Sequence, residues 1–139
     1  MGPFERLNAY IEDCERSEFA FGEHDCLTFT NGAYRAMYGS GWADDWIGRY
    51  MSNGRPMRRD ALRSEFGWSS IEDAIDARMD RVKFPPRGAL VTTKHAKRWA
   101  TGVALGICVG TRGVFLAKKG VVYLHLNLID NAWINKCPK

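Results

Sequence analysis

No window of this 139-residue chain approaches 18 consecutive apolar residues, so a membrane-spanning helix is not expected. The first residues, Met1-Gly2-Pro3-Phe4-Glu5-Arg6, lack the apolar segment of a signal peptide. The expectation is a chain that is neither inserted in a membrane nor conventionally secreted, and that reaches any site outside the cytoplasm by way of an assembly or lysis. Histidines number only three, and the four cysteines, Cys14, Cys26, Cys108 and Cys137, form no C-x-x-C pair. A zinc site with ordinary ligand spacing is therefore not expected, and neither a metal nor a cofactor is assigned. With 45% apolar residues the chain has enough core material to fold without disulfides, so the thiols are read as reduced and the site of synthesis as the cytoplasm. An excess of one charge is also missing. The formal charge of +4 and pI near 9.0 arise from 20 basic residues interleaved with 16 acidic ones, which favours a solvated basic surface over a nucleic-acid face. Repeats, low-complexity tracts and interdomain linkers are lacking, and residues 1–139 are read as one domain.

What is present is a cysteine at the start of a helix. Phe21-Gly22-Glu23-His24-Asp25-Cys26 leads into an apolar-periodic run from Leu27 to Tyr38. Asp25 suits the N-cap, and Gly39-Ser40-Gly41 ends the run. A thiol at that place is a candidate nucleophile, because unpaired backbone N–H groups and the positive end of the helix dipole favour the reactive thiolate. A small buried core residue is the competing reading, and it is the default for Cys14 and Cys108. The base that a cysteine nucleophile needs could be His24, two residues upstream, or His125. His125 lies in Val121-Val122-Tyr123-Leu124-His125-Leu126-Asn127, where strand alternation puts Tyr123, His125 and Asn127 on one face, with Asn127 as the orienting group. A solvent-facing strand surface explains the same row. His95, among Lys94, Lys97 and Arg98 before Trp99, reads as solvated. Trp42 and Trp46, four residues apart, read as packing, as do Trp68 and Trp133.

Elsewhere, Pro3, Phe4, Leu7, Tyr10 and Ile11 predict a first helix to about Arg16. Ser17 to Asp25 reads as a loop pinned by Phe19 and Phe21. Trp42 to Tyr50 is expected as a short helix, broken by Ser52-Asn53-Gly54-Arg55-Pro56. Met57 to Phe66 is expected as another, stopped by Gly67, and a further helix from Ser69 or Ser70 runs through Ile71, Ala74, Ile75, Arg78 and Met79. After Phe84-Pro85-Pro86-Arg87-Gly88 the pattern turns to strands: Ala89 to Thr93, Gly102 to Val109, Val114 to Lys118, Val121 to Asn127 and Ala132 to Asn135. A helical half over 1–83 and a β half over 84–139 predict an α+β domain with a small antiparallel meander.

This order resembles that of the papain-like NlpC-type cell-wall peptidases. Their aromatic-glycine loop leading to Asp-Cys is matched by Phe21-Gly22 and Asp25-Cys26, their Pro-x-Gly-Asp connector by Pro86-Arg87-Gly88-Ala89, and their Gly-Ile-x-x-Gly turn by Gly106-Ile107-Cys108-Val109-Gly110. Residues 4 to 135 more closely resemble a phage and prophage family encoded near tail-tip genes and related to those peptidases. Its Gly-x-His-Asp-Cys loop, Gly-x-Tyr segment and late tryptophan correspond to Gly22 to Cys26, Gly48-Arg49-Tyr50 and Trp133. The resemblance implies a papain-like fold, a place in the virion tail tip, and other tail-tip or baseplate proteins as partners. It also implies an ancestral hydrolysis of amide bonds in peptidoglycan stem peptides, with Cys26 attacking the carbonyl and a histidine moving the proton. The sequence departs from that pattern where the base belongs. Counting back from Gly106-Ile107 places Ala104 at the position of the histidine, Leu116 stands where a second polar group follows, and Ala89 replaces the connector's acid. Two alternatives accordingly stand beside the peptidase: a catalytically inactive structural or adaptor subunit of the tail tip, and a small basic nucleic-acid-binding protein.

Overall fold

The fold is given by a computed structural model that describes residues 2–20, 23–52, 55–67, 70–96 and 102–136. Helix α1, Pro3–Cys14, opens on a proline, whose missing N–H is no loss at a helix start. Its buried stripe, Leu7, Ile11 and Cys14, faces α2, Cys26–Tyr38. Gly32 permits the close approach of the two helices, since a Cβ there would stand 2.3 Å from the Tyr10 hydroxyl, which instead donates to the Phe29 carbonyl at 2.8 Å. Arg6 closes the other end of the pair by donating from Nε and Nη2 to the carbonyls of Ala36 and Met37, both at 2.7 Å. The expected limits of α2 hold at both ends: Asp25 caps it, and Gly39 ends it in the left-handed conformation at φ 88°.

Two local expectations fail. Trp42 to Tyr50 forms no helix beyond a 3-10 turn at Asp44–Trp46. The Asp44 carboxylate turns back to accept from the Gly41 N–H at 2.9 Å and the Asn31 amide at 2.8 Å, and Gly48 adopts φ 82°, outside helical space. Trp42 and Trp46 are nevertheless buried and meet edge to face, 5.5 Å between ring centres, as packing residues. The short strands β1, Met51–Ser52, and β2, Arg55–Pro56, pair on either side of the expected turn, whose residues 53–54 lie outside the described part. Helix α3, Arg59–Phe66, stops at Gly67 as expected. Helix α4, Ile71–Asp76, is capped by the Ser70 hydroxyl, which accepts from the Asp73 N–H at 3.0 Å; Trp68 and Ser69 lie outside the described residues. Arg78 and Met79 do not continue α4, and Met79–Val82 instead forms a strand, β3. Strand structure thus begins before residue 84.

The remaining strands are β4, Leu90–Thr93; β5, Ala104–Cys108; β6, Arg112–Leu116; β7, Val121–His125; and β8, Asn131–Asn135. All pairings in the six-stranded sheet are antiparallel, in the order β3-β8-β4-β5-β6-β7. Strands β4 to β7 make the expected meander, and β8 returns to lie between β3 and β4. The protein is therefore α+β, with N-terminal helices followed by an antiparallel sheet. Leu90, Leu105, Ile107, Val114, Leu116 and Trp133 join the buried face of the helices, while Ala89, Val91, Ala104, Cys108, Phe115 and Ala132 form a second cluster on the other face. Gly106 has no room for a side chain: a Cβ would lie 2.4 Å from the Val114 carbonyl and 2.5 Å from the Phe115 ring. No helix among the described residues is long and apolar enough to cross a membrane.

Candidate functional site

Cys26 is the first residue of α2, directly under β5, and is only 3% exposed. The N–H groups of Leu105, Cys26 and Leu27 favour its thiolate, as the helix-start position predicts. Burial outweighs them, and the negative charge of Asp25 acts in the same direction as burial, so the thiol is pushed up to about 12. A thiol raised in this way is held in its protonated, unreactive form at neutral pH. No histidine is among the groups that act on it within the described residues. Cys14 and Cys108 are likewise buried and free, and Cys137 lies outside the described residues.

Asp25 joins two of the segments that the sequence singles out. It is 2% exposed; one carboxylate oxygen accepts from the Thr28 N–H at 2.9 Å and the other accepts from the Tyr50 hydroxyl. Thr28 returns the capping bond, its hydroxyl oxygen accepting from the Asp25 N–H at 2.7 Å. One turn further on, Thr30 donates to the Cys26 carbonyl at 2.8 Å and accepts from the Trp42 indole at 3.1 Å. The start of α2 is thereby tied to the segment from Trp42 to Tyr50. The sequence marks Asp25 as the N-cap, whereas nothing local in Gly48-Arg49-Tyr50 announces that Tyr50 reaches Asp25.

The histidines stand apart from the thiol's hydrogen bonds. His24 closes a tight turn by exchanging backbone bonds with Ala20, at 2.7 and 2.9 Å, and its Nε2 is enclosed without a hydrogen-bond partner among the described residues. Burial lowers its pKa, partly opposed by Asp25, so the imidazole is held neutral. Phe21 and Gly22, within this loop, lie outside the described residues. His125 is exposed at the end of β7, an edge strand, and its Nδ1 accepts from the Asn127 N–H at 3.1 Å. That bond ends the strand and starts a 3-10 turn at Leu126–Leu128, so Asn127 does not share a strand face with His125 as the alternation predicts. His95 is exposed, and Lys97, Arg98 and Trp99 lie outside the described residues. Ala104 belongs to the sheet face turned away from the helices, whereas Leu116 shares the apolar cluster of Cys26. No group of three or more metal-ligating side chains gathers among the described residues.

No curated protein gives a significant match to the sequence. A family model does match residues 4–134, nearly the whole chain. The protein belongs to the family defined as a domain of unknown function, DUF6950.

Proposed function

We propose that this chain is a non-catalytic relative of the NlpC-type peptidases and serves as a structural or adaptor subunit of a phage tail tip. The observation that carries the non-catalytic part is the burial of Cys26, which is only 3% exposed. A peptidase of this type needs a thiolate and an imidazole within reach of each other, and here burial suppresses the first, while no histidine is among the groups that act on the thiol within the described residues. What the segment around Cys26 does instead is mechanical. Asp25 fastens the head of α2 to Tyr50, and Thr30 fastens it to Trp42. The tail-tip setting rests on the resemblance of Gly22 to Cys26, Gly48-Arg49-Tyr50 and Trp133 to a family encoded beside tail-tip genes.

Peptidoglycan amide hydrolysis is the second reading, and one feature favours it: the N–H groups of Leu105, Cys26 and Leu27 act on the thiol in the direction that favours a thiolate. Complementation separates the two. In a phage or prophage deleted for this gene, Cys26→Ala is expected to restore infectious particles to the wild-type titre, with the variant present in purified tails. A folded, tail-incorporated Cys26→Ala protein that leaves particles unable to infect would overturn the non-catalytic reading. Absence of the wild-type protein from purified tails would overturn the tail-tip assignment.

A further inference from the structure

On the side of the molecule formed by α1, the connector before β4 and the β5–β6 turn, a groove of about 390 Å³ sets opposite charges along its walls. Glu12, in the last turn of α1, and Glu15, the residue that caps its C-terminus, supply two carboxylates. Arg87 supplies a guanidinium, which lies over Gly110 so closely that a Cβ there would stand 3.2 Å from Nη2. Ile11 and Val109 give the groove an apolar lining, and Tyr123 closes one side. The Tyr123 hydroxyl donates to Glu15 at 3.4 Å, and Arg112 sits over its ring at 4.8 Å from the centre, so one carboxylate is held at its wall. Arg87 forms no ion pair with either glutamate, although all three line the same space. Charges of both signs that share a groove without pairing are complementary to a ligand that carries both.

We propose that this groove binds a small dipolar ligand bearing an ammonium and a carboxylate, as a free amino acid or a short peptide does, with the ammonium at Glu12 and Glu15 and the carboxylate at Arg87. The site is separate from Cys26, and its occupancy does not depend on the function proposed above. The test is a titration of the uniformly ¹⁵N-labelled full chain with glycine, γ-aminobutyrate, ε-aminocaproate and alanyl-alanine, followed by amide shifts. Saturable shifts are expected at Ile11 to Glu15, Gly88, Val109, Gly110 and Tyr123, strongest for one separation of the two charges. Acetylating the amine or amidating the carboxylate of the best probe should each weaken binding about three- to fivefold, the range for exposed ion pairs. Arg87→Gln should abolish the effect of amidation, and Glu12→Gln should reduce the effect of acetylation. A best response to alanyl-alanine assigns the groove to peptide ends, and a best response to a single amino acid assigns it to free amino acids. Shifts that never saturate, or that survive capping of both charges unchanged, would overturn the proposal.

Discussion

Replacing Asp25 with alanine is expected to destabilise the protein by about 3 kcal/mol, from the combined loss of a helix cap and of the hydrogen-bond acceptor for a buried tyrosine. The cap contributes about 1 kcal/mol, because Asp25 satisfies an N–H that the first turn of α2 leaves unpaired. The larger part comes from Tyr50, which is 1% exposed and whose hydroxyl donates to the same carboxylate. A double-mutant cycle with Tyr50→Phe isolates that bond, and a coupling of about 2 kcal/mol is expected for a buried hydrogen bond to a charged acceptor. Urea unfolding followed by tryptophan fluorescence measures all four corners. Additive losses, with no coupling, would mean that the head of α2 is not fastened through Tyr50.

Trp133→Ala should cost more, about 4 kcal/mol, which is the usual range for emptying the volume of a buried aromatic side chain. Trp133 is wholly buried on β8, with Arg81 and Leu90 as its neighbours on the adjoining strands β3 and β4. Its indole donates to Asp76 at 2.8 Å, and Arg81, itself paired to Asp76 at 2.9 and 3.0 Å, lies 5.1 Å from the ring centre. One side chain thus joins α4 to the strand that returns through the sheet. Since a domain of this size has only about 5–15 kcal/mol of net stability, that loss removes a large share of it. Trp133→Phe keeps most of the volume and should lose about half as much. Chemical denaturation of the two variants decides the matter, and equal, small losses below about 1 kcal/mol would show that the returning strand is not held by this residue.

The parts of the fold that the sequence makes legible are those set by neighbours in the chain. Helix α2 announces itself because Asp25, Thr28 and Gly39 act within a turn of its ends. The meander is similarly visible in β-branched runs divided by glycine turns, with Gly110 and Gly120 at φ 117° and 71°. Strand β3 is not visible, because Met79 continues the helical spacing of Ile71 and Ile75 and becomes a strand residue only by pairing with β8, more than fifty residues away. The failed helix after Trp42 has the same origin, since the bond from Asn31 to Asp44 joins segments whose sequences say nothing of each other. At the candidate site, the placement of Cys26 on a helix start and the apolar Ala104 and Leu116 were legible. The burial of Cys26 is only one of two readings there, because the choice depends on β5 docking over the helix, and that burial reverses the sign of the shift that the helix dipole alone would give.

The state of the Cys26 thiol is the centre of this account, and its alkylation rate against pH is the direct measurement. Iodoacetamide is added to the native protein and to the urea-unfolded chain between about pH 6 and pH 9, and the Cys26 peptide is quantified by mass spectrometry. The native thiol should react far more slowly than the unfolded one throughout, with no inflection in that interval, because its ionisation is pushed up to about 12. A native Cys26 that reacts as fast as the unfolded thiol or faster, with a midpoint near or below about pH 7, would show an activated nucleophile and contradict the account.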